Sequence, residues 1–162
     1  MKNKVSQDYS FGEHFYVVLI TSRLPDYQLA WSLNNHLKVD FRKLPDLMVF
    51  HPKKEEELPH TLYGWISSNA IEYFLVTTLN EPTSLSAETF LLIEKRERKE
   101  AVDRFIEKAS SCEFIFFIEE ISFSTPTKIL KKHLVEQFNN IAIDLEKHLD
   151  ALKEAPKYHF QK

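Results

Sequence analysis

Two stretches of this chain are apolar on both of their alternating faces: His14-Phe-Tyr-Val-Val-Leu-Ile-Thr21, and Glu113-Phe-Ile-Phe-Phe-Ile-Glu-Glu-Ile-Ser-Phe123. Successive side chains of a strand point to opposite sides, so a strand with one wet face alternates apolar and polar residues. A run that does not alternate, and that is rich in β-branched and aromatic residues, reads as a strand covered on both faces. In the second run Phe114, Phe116 and Ile118 share one face, and Ile115, Phe117 and Ile121 share the other. Both runs are therefore expected at the centre of a sheet.

Between and after them the periodicity changes. Over Asp26–Leu37, Leu29, Leu33 and Leu37 recur every four residues with Ala30 beside them, which predicts a helix with one apolar face. Pro25 suits its first position, and Asp26 places a negative charge at the positive end of the helix dipole. Tyr27 and Trp31, also four apart, add an aromatic stripe. A short strand is expected at Val39–Arg42, a turn at Leu44-Pro45-Asp46, and another strand at Leu47–His51. The charge run Lys53–Glu57 reads as a solvated loop. Thr61–Ser68 and Ile71–Leu79 read as an antiparallel hairpin turning at Ser68-Asn69-Ala70. Asn80–Ser86 reads as a loop. Phe90–Ile93 fits either a strand or the first turns of a helix starting near Ser86, and the strand is favoured, followed by a helix over Glu97–Ala109 turning Ala101, Val102, Phe105, Ile106 and Ala109 inward. Thr125-Pro126 should open a long helix that Pro156 ends. Its stripe includes Leu134, Phe138, Ile141, Leu145, Leu149 and Leu152. At 1.5 Å per residue it would be about 45 Å long, more than a compact chain of this size needs, so part of it is free to meet a partner.

Strands come in runs rather than in alternation with helices. The fold expected is therefore α+β: one domain over residues 1–162, with 1–12 flexible. Its largely antiparallel sheet is packed by a short N-terminal helix, a middle helix and a long C-terminal helix.

The pattern Asp26-Tyr27-x-Leu29-Ala30-Trp31-x-Leu33-Asn34-x-x-Leu37, placed directly after the first strand, resembles the IPExxxVDY family of small bacterial proteins. The resemblance covers residues 14–50. The naming motif is not intact: Ile93-Glu94 lacks the proline, and Val102-Asp103 lies farther on and is followed by Arg104. The family brings no known activity, so the resemblance implies no catalytic residues.

Several function classes are poorly served by this composition. Gly12 and Gly64 are the only glycines, so neither a phosphate-cradling loop nor a dinucleotide-binding turn can be written. A net charge of −3 disfavours nucleic acid as a partner. Cys112 stands alone, so no intrachain disulfide forms, and a cytoplasmic setting is the expectation. The apolar run Phe15–Ile20 is too short to cross a membrane, which takes about 20 residues.

Histidines stand at 14, 36, 51, 60, 133, 148 and 159, with no two at zinc-ligand spacing. His51 and His60 are placed to converge across a loop, but surface histidines are the commoner reading, and neither a metal nor a cofactor is expected. Cys112 and His133 lack any local signature of a nucleophile and its base, and a cysteine before a buried strand is usually inert. Glu119 and Glu120 point to opposite faces of a strand and make a poor acid–base pair.

Tyr27, Trp31, Tyr63 and Trp65 remain. Exposed together they would stack a ligand or anchor a protein; aromatics at helical spacing more often pack a helix on a sheet. The leading expectation is a non-enzymatic homodimer formed through the long C-terminal helix, acting by protein–protein contact. The alternative is a small-molecule binding protein or enzyme with a pocket beside the Asp26–Leu37 helix. The residues nominated for a ligand or partner are Asp26, Tyr27, Trp31, Asn34 and Trp65.

Overall fold

The computed structural model of the protein describes residues 14–79, 87–121 and 132–154. The expectations for residues 1–12, for the Asn80–Ser86 loop, for the opening at Thr125-Pro126 and for the stop at Pro156 lie outside them. The elements in order are β1 (Phe15–Ser22), α1 (Asp26–Leu37), β2 (Arg42–His51), β3 (Glu56–Ile66), β4 (Glu72–Thr77), β5 (Ala87–Glu94), α2 (Lys99–Ser110), β6 (Ile115–Ile121) and α3 (Lys132–Glu154). The six strands form one sheet in the order β2-β3-β4-β5-β1-β6, and every pairing is antiparallel. The fold is mixed α+β.

β1 has a strand on either side, with Phe15 opposite Glu94 of β5 and Val17 opposite Ile121 of β6. Its residues divide by parity between two cores. Phe15, Val17 and Leu19 join Phe74, Phe90 and Leu92 on the face covered by α3, which contributes Leu134, Phe138, Ile141 and Leu145. Val18 and Ile20 join Leu75, Leu91 and Ile93 on the face covered by α1 and α2. α1 supplies Leu29, Ala30 and Leu33 to that second core, and α2 supplies Val102, Phe105 and Ala109. The unbroken apolarity of β1 is thus the signature of a strand with a helix layer on each side.

α1 follows Pro25, which holds the extended conformation, and ends at Lys38 in the left-handed region with φ 58°. Asn34 then ties the helix to the returning chain. Its Oδ1 accepts the Phe41 backbone N–H at 2.8 Å, and its Nδ2 donates to the Phe41 carbonyl at 3.1 Å. The β3–β4 hairpin turns where expected, with Ala70 at φ 64°. The 87–94 segment is a strand.

Four expectations need correction. Val39–Arg42 is not a strand of its own: residues 39–41 belong to no strand, and Arg42 opens β2. Leu44-Pro45-Asp46 is not a turn: β2 runs through it, and the register with β3 slips between Leu44 and Leu47. β2 is an edge strand, where a bulge is tolerated and a missing proline N–H breaks no ladder bond. The charge run is only partly a loop, since Glu56 and Glu57 open β3 opposite His51 and Phe50. β6 is an edge strand, not a central one. Its apolar faces meet both cores even so: Ile115 and Ile118 pack on the side of α1 and α2, and Phe117 and Ile121 on the side of α3. Burial on two faces needs two helix layers but not two neighbouring strands. A register shift against Thr21 and Ser22 breaks the expected alternation and leaves Phe116 exposed.

Candidate functional site

The inward stripe of α1 is saturated, with Leu29, Ala30 and Leu33 all buried against the sheet. The second stripe consequently turns away from it. Tyr27 is 62% exposed and Trp31 68% exposed, one helical turn apart on the outer surface. The Tyr27 hydroxyl accepts a hydrogen bond from Gln28 Nε2 at 3.2 Å. Packing of one helix on the sheet therefore accounts for Tyr63 and Trp65 but not for Tyr27 and Trp31. Trp65 is half-buried, with its ring centroid 4.5 Å from Tyr73 and 5.9 Å from Phe41. Of the five nominated residues, Tyr27 and Trp31 share one open surface. Asn34 is committed to the Phe41 backbone, Trp65 belongs to the packed layer, and Asp26 opens α1. Leu29, Ala30 and Leu33 fill the interval between α1 and the sheet.

A second constellation lies on the opposite face, along the seam between α3 and the β2–β3 hairpin. His51 and His60 are not surface residues; they are 5% and 1% exposed. They stand on either side of the Val49–Leu58 pair in the strand register. Their rings are nearly parallel, at 12°, with centroids 5.1 Å apart, while their Nε2 atoms are 2.9 Å apart. A centroid separation so much longer than the nitrogen separation means that the rings meet edge to edge, through a hydrogen bond.

The partners fix the tautomers. His60 Nδ1 lies 2.6 Å from the Thr77 carbonyl, which only accepts, so Nδ1 carries the proton and Nε2 is left as an acceptor. His51 Nε2 must then donate to it, which leaves His51 Nδ1 as an acceptor facing the Asn140 side-chain amide at 3.4 Å. Both rings are neutral in this arrangement. Burial pushes both below the ordinary histidine value of 6.5; Lys54 adds to the effect at His51 and the His51 charge adds to it at His60.

The convergence of these two residues across a loop was expected from the sequence as an alternative, but the surface placement preferred there is wrong, since both are buried. A parity signal was present: His51 continues the Leu47, Val49 alternation, and His60 lies between Leu58 and Leu62. Both therefore occupy inward positions.

Among the described residues no group of three or more His, Cys, Asp or Glu is placed to hold a metal ion. Cys112 is buried, and burial raises its thiol above the ordinary value. No helix among the described residues is long and apolar enough to cross a membrane. Comparison with protein-family models, with curated proteins and with solved structures gives no match.

Proposed function

We propose that the protein is a non-enzymatic, cytoplasmic interaction module, homodimeric through α3, that engages a protein partner on the outer face of α1. The observation that carries this reading is the exposure of Tyr27 and Trp31 on a helix whose other apolar stripe is already buried. Tyrosine and tryptophan supply large contact areas at small entropic cost and dominate interface energetics. The likeness of the Asp26–Leu37 pattern to the IPExxxVDY family belongs to the same proposal and adds no activity to it.

Self-association is assigned to α3 on two grounds. Ile143 is exposed on it, and its backbone continues past the buried Leu145 to Glu154, a stretch in which Leu149 and Leu152 keep the apolar spacing. Truncation of the helix would be a poor test, because Leu134, Phe138, Ile141 and Leu145 belong to the core.

The test is native mass spectrometry with site-specific photo-crosslinking. Twice the 19.2 kDa chain mass is expected for the native protein, and the chain mass alone for Ile143→Lys. A photo-reactive side chain at position 31 should crosslink a second polypeptide that one at the exposed Lys108 does not. A monomeric native protein refutes the dimer, and equal crosslinking from both positions refutes the α1 surface.

A further inference from the structure

The seam between α3 and the β2 edge is polar at four successive points. Lys53 Nζ lies 3.0 Å from Glu136 Oε2. Gln137 Oε1 accepts from the Leu79 N–H at 2.8 Å, while its Nε2 donates to the Leu79 carbonyl at 3.1 Å. Asn140 faces His51, and Asp144 Oδ2 accepts the Phe50 N–H at 3.0 Å. Three of these contacts reach β2 or the turn that follows it, and the histidine pair is the buried one. The pair has a fixed proton capacity. With one proton on each ring, every ring nitrogen has a partner of the right kind. One added proton leaves the Nε2–H···Nε2 bond in place but makes His51 Nδ1 a donor, which faces another donor unless the Asn140 amide turns over. Two added protons leave no acceptor between the rings and set two cations 2.9 Å apart in a buried place.

We propose that the His51–His60 pair is an acid-operated latch that fastens α3 to the β2–β3 hairpin and releases it when both rings become cations. Among the described residues the charged groups that face the pair are few. Asp144 on α3 and Glu56 at the start of β3 favour a proton on His51, while Lys54 in the turn opposes it. From β4 the Thr77 carbonyl accepts from His60 Nδ1 and keeps that nitrogen protonated in every state. Among the described residues neither carboxylate is hydrogen-bonded to the rings, and a second added proton leaves no acceptor between them, so the bond between the rings must open. Release lifts Asn140 and Asp144 from β2 and bares the Phe50 N–H of an edge strand. β1 and β5 are held by the ladder between them and by the second core, neither of which involves the pair.

The test uses the full chain. Amide hydrogen exchange, corrected for the intrinsic effect of pH, is followed from about pH 7.5 to about pH 5, beside a histidine titration by NMR. At the upper end His60 should carry its proton on Nδ1 and His51 on Nε2. As both rings become cations, amides of α3 and of β2 should lose protection by at least about tenfold, while β1 and β5 keep theirs. Unchanged protection of α3 after both rings have titrated overturns the latch. So does simultaneous loss over all six strands, which would make the pair a part of global stability only. In His51→Leu/His60→Leu, where both partners become apolar, protection of α3 should no longer respond to pH. A response like that of the native chain refutes the assignment to this pair. The native-chain measurement decides the matter even where the double variant does not fold.

Discussion

Asp144 Oδ2 on α3 lies 3.0 Å from the Phe50 backbone nitrogen on β2, so a helix side chain occupies a donor that the edge of the sheet would otherwise offer to another chain. Edge strands commonly carry such protection, because an open row of donors and acceptors templates aggregation. In Asp144→Ala the protein should lose about 1 kcal/mol of stability, as expected for one net hydrogen bond. It should also self-associate more readily. Urea titration with static light scattering checks both, and an unchanged scattering signal would argue against a protective role.

Trp31 and Leu33 are two positions apart on α1 and should behave oppositely. Trp31→Ala should change stability by no more than about 0.5 kcal/mol, because the indole is exposed. Leu33→Ala, at a fully buried site, should cost about 2–5 kcal/mol. Thermal and urea unfolding of the two variants separate a surface role from a core role. A large loss for Trp31→Ala would place its ring in the fold rather than in recognition.

Asn34→Ala removes both hydrogen bonds to the Phe41 backbone and leaves two polar groups without their partner. The expected cost is about 1–3 kcal/mol. If Asn34 is a fastening residue, the variant should crosslink its partner through position 31 as the native chain does, at temperatures where it is folded.

Tyr73 gives the protein an alkaline limit. Its hydroxyl donates to Glu97 Oε2 at 2.7 Å, and burial followed by that carboxylate drives its pKa well above the ordinary 10.0. The folded state therefore holds the proton more tightly than the unfolded chain. Its contribution is fully present below pH 10.0 and declines as the pH rises above that value. The urea midpoint of the native protein should fall above pH 10, and that of Tyr73→Phe should be less sensitive to the same change.

The histidine pair gives the complementary acid limit. The unfolded chain takes up protons near 6.5 and the folded chain only below it, so stability is complete above 6.5 and declines as the pH falls. Urea midpoints measured downward from neutrality check the sign; a midpoint that rose on acidification would contradict it.

What could be read from the sequence was whatever a single window contains. β1, the β3–β4 hairpin and α2 each carry their own periodicity, and each stands where that periodicity puts it, whereas Phe90–Ile93 fitted a strand or a helix until its pairing with β1 and β4 decided it. The two stripes of α1 were visible as well. Helical spacing alone does not say which stripe faces the sheet, however, and Tyr27 and Trp31 turned outward because Leu29, Ala30 and Leu33 fill the inner side. Asn34 was nominated for a ligand or partner, and its hydrogen bonds to the Phe41 backbone seven positions on were not apparent. β6 resembled a central strand because two helix layers cover it, and no local pattern distinguishes that from two strand neighbours. Meeting of His51 with His60 depends on the β2 and β3 register, which pairing decides and composition does not.

The place of β1 in the sheet bears on how a ribosome can make this protein. β1 is synthesised before every strand it pairs with, and its partners are the late strands β5 and β6. Until residue 94 has emerged, Phe15, Val17, Val18, Leu19 and Ile20 have no strand to lie against. The nascent chain can close the β2–β3 and β3–β4 hairpins in order of synthesis, whereas β1 must wait for a long loop to close around it, a slow step with apolar surface on view. The strand that ends best buried is thus the one that spends longest exposed, and the growing chain has most need of a chaperone between the synthesis of β1 and that of β5.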